Sequence, residues 1–147
     1  MDLPRWQAEL SRQAKVRANG GKLILSVDDE PSILFTREQI LQNEGYDVCS
    51  ALDGETALHI FVTHPIDLVL LDYVMPGMDG GMVAREMKRL KPLMPVIMVS
   101  ASAVPEDSNV CADCFVRKGQ GPIVLLEAIR KVLAPALDID LPGERAS

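Results

Sequence analysis

Asp28 and Asp29 stand side by side at the end of the apolar run LILSV, and Glu30 follows at once. Adjacent carboxylates repel, so such a pair calls for either a local task, such as capping a helix or making a turn, or a cation. Three other residues sit at the ends of similar runs. DLVLLD closes on Asp72, VIMVS on Ser100, and CFVR is followed by Lys118. A second acidic or basic group at one strand end is weak evidence. Three carboxylates, a hydroxyl and an amine from four separate strand ends form a pattern. Three clustered carboxylates are unfavourable without a cation, and hard oxygen ligands with room for water suit Mg²⁺. A carboxylate in such a cluster can act as a nucleophile toward a phosphoryl group. A lysine and a hydroxyl can hold the phosphoryl oxygens, because phosphoryl transfer rests mainly on positioning and charge neutralisation.

The elements that must position these groups are short. Runs rich in Val, Ile and Leu over 23–27, 46–50, 67–71, 96–100 and 114–117 read as strands. Several lack polar alternation, as strands covered on both faces do. Between them lie helical patterns over 32–44, 53–63, 81–91 and 122–133. The first shows Ile33, Leu34, Ile40 and Leu41 on one side and stops at Gly45, a C-terminal cap position. The last opens with Pro122, suited to a first helical turn. Strands alternating with helices predict a parallel sheet wrapped on both faces. In such a sheet the strands' carboxyl ends share one edge, so the reactive set is expected to converge there.

Composition bounds the rest. The chain has 147 residues, 48% apolar and 24% charged, enough for one domain with a core that is aliphatic because aromatics make up only 4%. No apolar run is long enough to span a bilayer, and no leader pattern argues for export, so a cytoplasmic location is expected. A net charge of −6 argues against direct nucleic-acid binding. The charge is uneven. Arg5, Arg12, Lys15, Arg17 and Lys22 face only Asp2 and Glu9, a net of +3 that leaves −9 for the remainder. The expected organisation is a basic amphipathic arm over 1–21, carrying Leu3, Trp6 and Leu10, a domain over 22–134, and an acidic tail over 135–147.

The stretches ILSVDDEPS, DLVLLDYVMPGMDG, IMVSAS and CFVRK resemble the receiver domain of two-component response regulators, similar in scale to the single-domain chemotaxis regulator. The resemblance implies an α/β fold of flavodoxin-like (βα)₅ type, a doubly wound five-stranded parallel sheet. It implies that Asp72 accepts a phosphoryl group from the phosphohistidine of a histidine kinase or a phosphotransfer protein. Asp29, Asp72 and the backbone carbonyl of Val74 would bind Mg²⁺, with Asp28 assisting through water. Lys118 would pair with Asp72 or the phosphoryl group, Ser100 would move to hydrogen-bond that group, and Phe115 would hold the aromatic switch position. Signalling would run through phosphorylation-dependent contacts with a downstream protein, and a homodimer is compatible with this scheme. No membrane and no direct nucleic-acid contact is implied, and no enzymatic activity beyond phosphorylation and dephosphorylation at Asp72.

Two departures from the family pattern stand out. Lys118 precedes Gly119-Gln120-Gly121 where the family has a cis proline, and only 17 residues separate Ser100 from Lys118, leaving a shortened fourth helix over 105–110. They keep alive a degenerate receiver used as a structural or dimerisation module, and a receiver cut from a larger hybrid kinase or multidomain regulator is a third reading. An aspartyl-phosphate phosphatase of the haloacid-dehalogenase type would need an acid two residues after Asp72, where Val74 stands. Cys111 and Cys114 have redox or zinc spacing, but a zinc site needs four ligands. Buried structural thiols are expected. His59 and His64 are expected at the surface.

Overall fold

The computed structural model describes residues 21–101 and 111–134. Within them the chain runs β1 (Leu23–Val27), α1 (Pro31–Asn43), β2 (Asp47–Ala51), α2 (Gly54–Thr63), β3 (Leu68–Asp72), α3 (Gly80–Leu90), β4 (Val96–Ser100), β5 (Cys114–Arg117) and α4 (Pro122–Leu133). The five strands form one parallel sheet in the order β2-β1-β3-β4-β5. This is the flavodoxin-like order, in which the chain winds outward from β1 to one side and then crosses to the other. The helix expected over 105–110, the arm except for Gly21, and the acidic tail lie outside the described residues.

Each face of the sheet has its own core. Leu25, Val27, Val69, Leu71, Val96 and Met98 pack against Ala57 and Phe61 of α2 and Val83, Ala84 and Met87 of α3. On the other face Ile24, Leu68, Leu70, Ile97, Val99 and Val116 pack against Leu41 of α1 and Ile129 of α4. Alternate residues of one strand therefore enter opposite cores. That double covering explains why β3 and β4, buried at every position, read as continuous apolar runs. The edge strands β2 and β5 are less buried.

Element boundaries fall within one residue of the expected ones, and the shifts have local causes. Pro31 rather than Ser32 opens α1, since proline's fixed φ and missing N–H suit a first turn. Asp53 and Asp79 sit outside their helices as N-caps, accepting from the N–H groups of Thr56 and Met82 at 2.7 and 2.9 Å. At the end of α1 the N–H of Gly45 donates to the Gln42 carbonyl and that of Tyr46 to the Leu41 carbonyl, the paired bonds of a Schellman cap. Asp72 belongs to β3 itself and pairs in register with Val99. Cys111 packs on the α2–α3 side of the sheet and Cys114 on the α1–α4 side. All three cysteines are free and half-buried, so the expectation of buried thiols is corrected to partial burial. His59 and His64 are exposed, as expected.

Candidate functional site

The order of strands reverses between β1 and β3, and a crevice opens beyond the carboxyl ends of strands at such a switch point. Asp28 and Asp29 leave β1 there, and Asp72 ends β3. The three side chains offer carboxylate oxygens within 4.8 Å of one another. Backbone hydrogen bonds pin each contributing segment to its neighbour. The Asp28 N–H donates to the Ala51 carbonyl at 3.1 Å, Tyr73 N–H to Val99 at 3.0 Å, and Lys118 N–H to Ser100 at 2.8 Å.

Lys118 reaches over from the end of β5. Its Nζ lies 2.9 Å from Asp28 Oδ2 and 3.2 Å from Asp72 Oδ2. The loop behind it, with Gly119 and Gly121 at φ of 87° and 93°, takes left-handed conformations that favour glycine. No peptide bond among the described residues is cis, so the lysine is aimed without the rigid element seen in the family pattern. Ser100 ends β4, the strand beside Asp72, and is buried. Phe115 faces outward from the edge strand and is 51% exposed, which excludes a core role. Val74 is exposed, and its N–H favours the charged form of Asp72.

The loop from β3 to α3 is held by Gly80. Its N–H donates to the Tyr73 carbonyl at 2.8 Å, and a Cβ there would lie 2.3 Å from the Asp72 carbonyl oxygen and 2.7 Å from Tyr73 Cα. Only a residue without a side chain lets the helix start this close to the strand end.

Charge is poorly balanced in the crevice. Asp72 is 3% exposed, and burial together with the neighbouring Asp28 carboxylate raises its pKa above the ordinary value, only partly opposed by Lys118. Burial works against the Lys118 charge, but Asp28 and Asp72 outweigh it and raise its pKa. Asp28 does part of the bland task, accepting the Glu30 N–H on Oδ1 at 3.0 Å. Its buried Oδ2 receives no well-directed hydrogen bond and is balanced by nearby cations alone. A buried carboxylate oxygen held by cations rather than by directed hydrogen bonds, beside a second carboxylate whose ionisation is disfavoured, fits a hard divalent cation.

One member of this group escaped the reading of the sequence. Arg37, from the inner face of α1, is 6% exposed. It donates Nη1 to Ser26 Oγ at 3.3 Å and holds Nη2 3.6 Å from Asp28 Oδ2. Two signals for it were present. Position 37 falls midway along the Leu34–Leu41 stripe, and Ser26 is a polar residue inside an otherwise apolar strand.

A parallel sheet of this order with its polar groups gathered at the β1–β3 crevice defines the class, a flavodoxin-like α/β domain. Within that class the chain belongs to the response regulator receiver domain family, which it matches over residues 24–130. It is 41% identical over 116 residues to the alkaline phosphatase synthesis transcriptional regulatory protein PhoP of Bacillus subtilis, a match covering 76% of this chain and 48% of that protein. The chain spans about half the length of the first curated relatives it matches. Among solved structures it resembles the response regulator TrrA of Thermotoga maritima in complex with Mg²⁺-BeF, with 38% identity and a TM-score of 0.73, covering 76% of this chain and 99% of that one. It also resembles TrrA in complex with the histidine kinase ThkA, with 39% identity and a TM-score of 0.72, covering 77% and 99%.

Proposed function

We propose that this receiver takes a phosphoryl group onto Asp72 from a histidine kinase or phosphotransfer protein and signals through protein contacts that depend on that charge. The observation that carries this reading is the convergence of Asp28, Asp29 and Asp72 on one another, with Lys118 bridging two of them. The Mg²⁺-BeF complex of TrrA and its complex with a histidine kinase support it by similarity.

In the proposed reaction an Asp72 carboxylate oxygen attacks the phosphorus, the bond from phosphorus to the donor's imidazole nitrogen breaks, and that nitrogen keeps the electron pair. Asp28, Asp29, Asp72 and the Val74 carbonyl would hold Mg²⁺, which neutralises phosphoryl oxygens when bound. Lys118 moves from pairing with Asp72 to pairing with the transferred group, since the carboxylate gives up its own charge on phosphorylation. Ser100 donates a hydrogen bond to a phosphoryl oxygen. The added group carries about two negative charges and biases two pre-existing arrangements of the β4 and β5 ends, with the exposed Phe115 as the aromatic that changes place. The domain spans 22–134 and works in the cytoplasm. Its chemistry is confined to its own Asp72.

Incubation with a small acyl phosphate and Mg²⁺ should add one phosphoryl mass to the wild type and none to Asp72→Asn. Equal labelling of both proteins would overturn the assignment. A receiver retained only as a scaffold would show no labelling and no response to Mg²⁺.

A further inference from the structure

The core-facing stripe of α1 is Leu34, Arg37 and Leu41. Its middle member is a guanidinium, always charged in proteins, buried between a helix and a sheet. Burial lowers its pKa, and Asp28 and Asp72 act against that. An apolar side chain would fill this stripe without the cost of taking a charge out of water, whereas removing the arginine alone leaves Asp28 with one counter-charge fewer. Packing therefore gives no reason for the arginine, and its contacts do. Nη1 meets Ser26 Oγ and Nη2 faces Asp28 Oδ2, the oxygen left without a well-directed hydrogen bond. Lys118 reaches that same oxygen, with Nζ at 2.9 Å.

The two cations differ in freedom. Lys118 is carried on a loop flanked by glycine and is partly exposed, so it can turn toward another anion. Arg37 is fixed within the helix, under the site. We propose that Arg37 is a resident counter-ion that sets the divalent-cation affinity of the acidic crevice. It is a positioning residue: with no metal bound it holds Asp28 in place, and when a cation arrives its own charge opposes binding. The inference rests on the reading that Asp28, Asp29 and Asp72 hold Mg²⁺.

A thermodynamic cycle fixes the sign. If Arg37 stabilises the metal-free protein more than the loaded one, removing its charge must tighten metal binding by the same factor. A unit charge a few ångströms from a divalent ion, at the effective dielectric of a partly wet site, makes a factor of about ten or more. The wild-type site is then weak alone and gains from a phosphoryl donor, whose negative charge offsets the arginine.

Calorimetric titration of Mg²⁺ into the wild type, Arg37→Met and Arg37→Lys tests this, with thermal melting in chelator and in Mg²⁺ as a second readout. Arg37→Met keeps an unbranched stem without the charge and should bind Mg²⁺ about tenfold tighter. Arg37→Lys should stay within about threefold of the wild type. Metal-free Arg37→Met should melt below the wild type, and saturating Mg²⁺ should narrow the gap. Arg37→Gln serves the same comparison if the methionine variant does not fold. Unchanged or weaker binding in the uncharged variants overturns the inference, as does equal tightening in Arg37→Lys. Absence of Mg²⁺ binding to the wild type would instead overturn the metal reading, and this inference with it.

Discussion

At the amino end of the sheet, Asp67 and Asp113 each stand just before a strand and reach sideways to the first N–H of its neighbour. Asp67 Oδ2 accepts from Leu23 and Asp113 Oδ2 from Val96, both at 2.8 Å, and Lys88 Nζ adds a 2.7 Å contact to Asp113. At the carboxyl end Asp28 and Asp72 are buried and close together, and Asp28 Oδ2 receives no well-directed hydrogen bond. The same side chain thus meets opposite conditions at opposite ends of one sheet. Burial pushes on Asp113 too, but bonds from Lys88 and Val96 outweigh it and lower its pKa. For Asp72 burial and Asp28 win, and the pKa rises. One end uses acids to fasten strands, and the other keeps acids whose charge awaits a partner. A site that binds and releases a charged group has to carry such unmet charge.

The contrast can be broken by mutation. The largest effect is expected at Gly80, where a methyl group would collide with the backbone of Asp72 and Tyr73. Gly80→Ala should cost about 3 kcal/mol in a urea unfolding series, through overpacking; a loss under about 1 kcal/mol would mean that the loop relaxes freely. Asp113→Ala should cost about 1–2 kcal/mol, because the Val96 N–H loses its acceptor, and should leave phosphorylation intact. Asp72→Asn should act in the opposite direction and stabilise the metal-free protein by about 1 kcal/mol, by relieving buried repulsion. A destabilised Asp72→Asn would show that the Lys118 pairing outweighs burial.

The smallest effect is in pH dependence. A raised native pKa at Asp72 means that the folded protein binds more protons there than the unfolded chain. Its contribution is full below about pH 3.9, the unfolded value, and is lost as pH rises through the native pKa. Asp113, with a lowered native pKa, contributes above about pH 3.9 and loses that as pH falls. In chelator, Asp72→Asn should remove the first trend and keep the second. Saturating Mg²⁺ should flatten the first trend in the wild type.

Much of the fold was legible because both of its signals are local. Apolar runs of strand length and helical stripes with proline and glycine at their ends depend only on neighbouring residues. The acids at strand ends were legible too, because a parallel sheet sends all its carboxyl ends to one edge. Arg37 was not read, since its place on the apolar stripe and the polar Ser26 inside β1 become one contact only when the helix packs on the strand. The aim of Lys118 and the outward face of Phe115 likewise depend on how β5 closes the sheet.

The sequence by itself determined the element order and the identity of the groups at each strand end. Side-chain type and short-range periodicity are enough to set both. Which oxygen of Asp28 is held by the backbone and which is left facing two cations was decided only by the tertiary structure. So was the sign of each aspartate's shift, because burial and the distance to the nearest charge arise only when strands distant in sequence lie side by side.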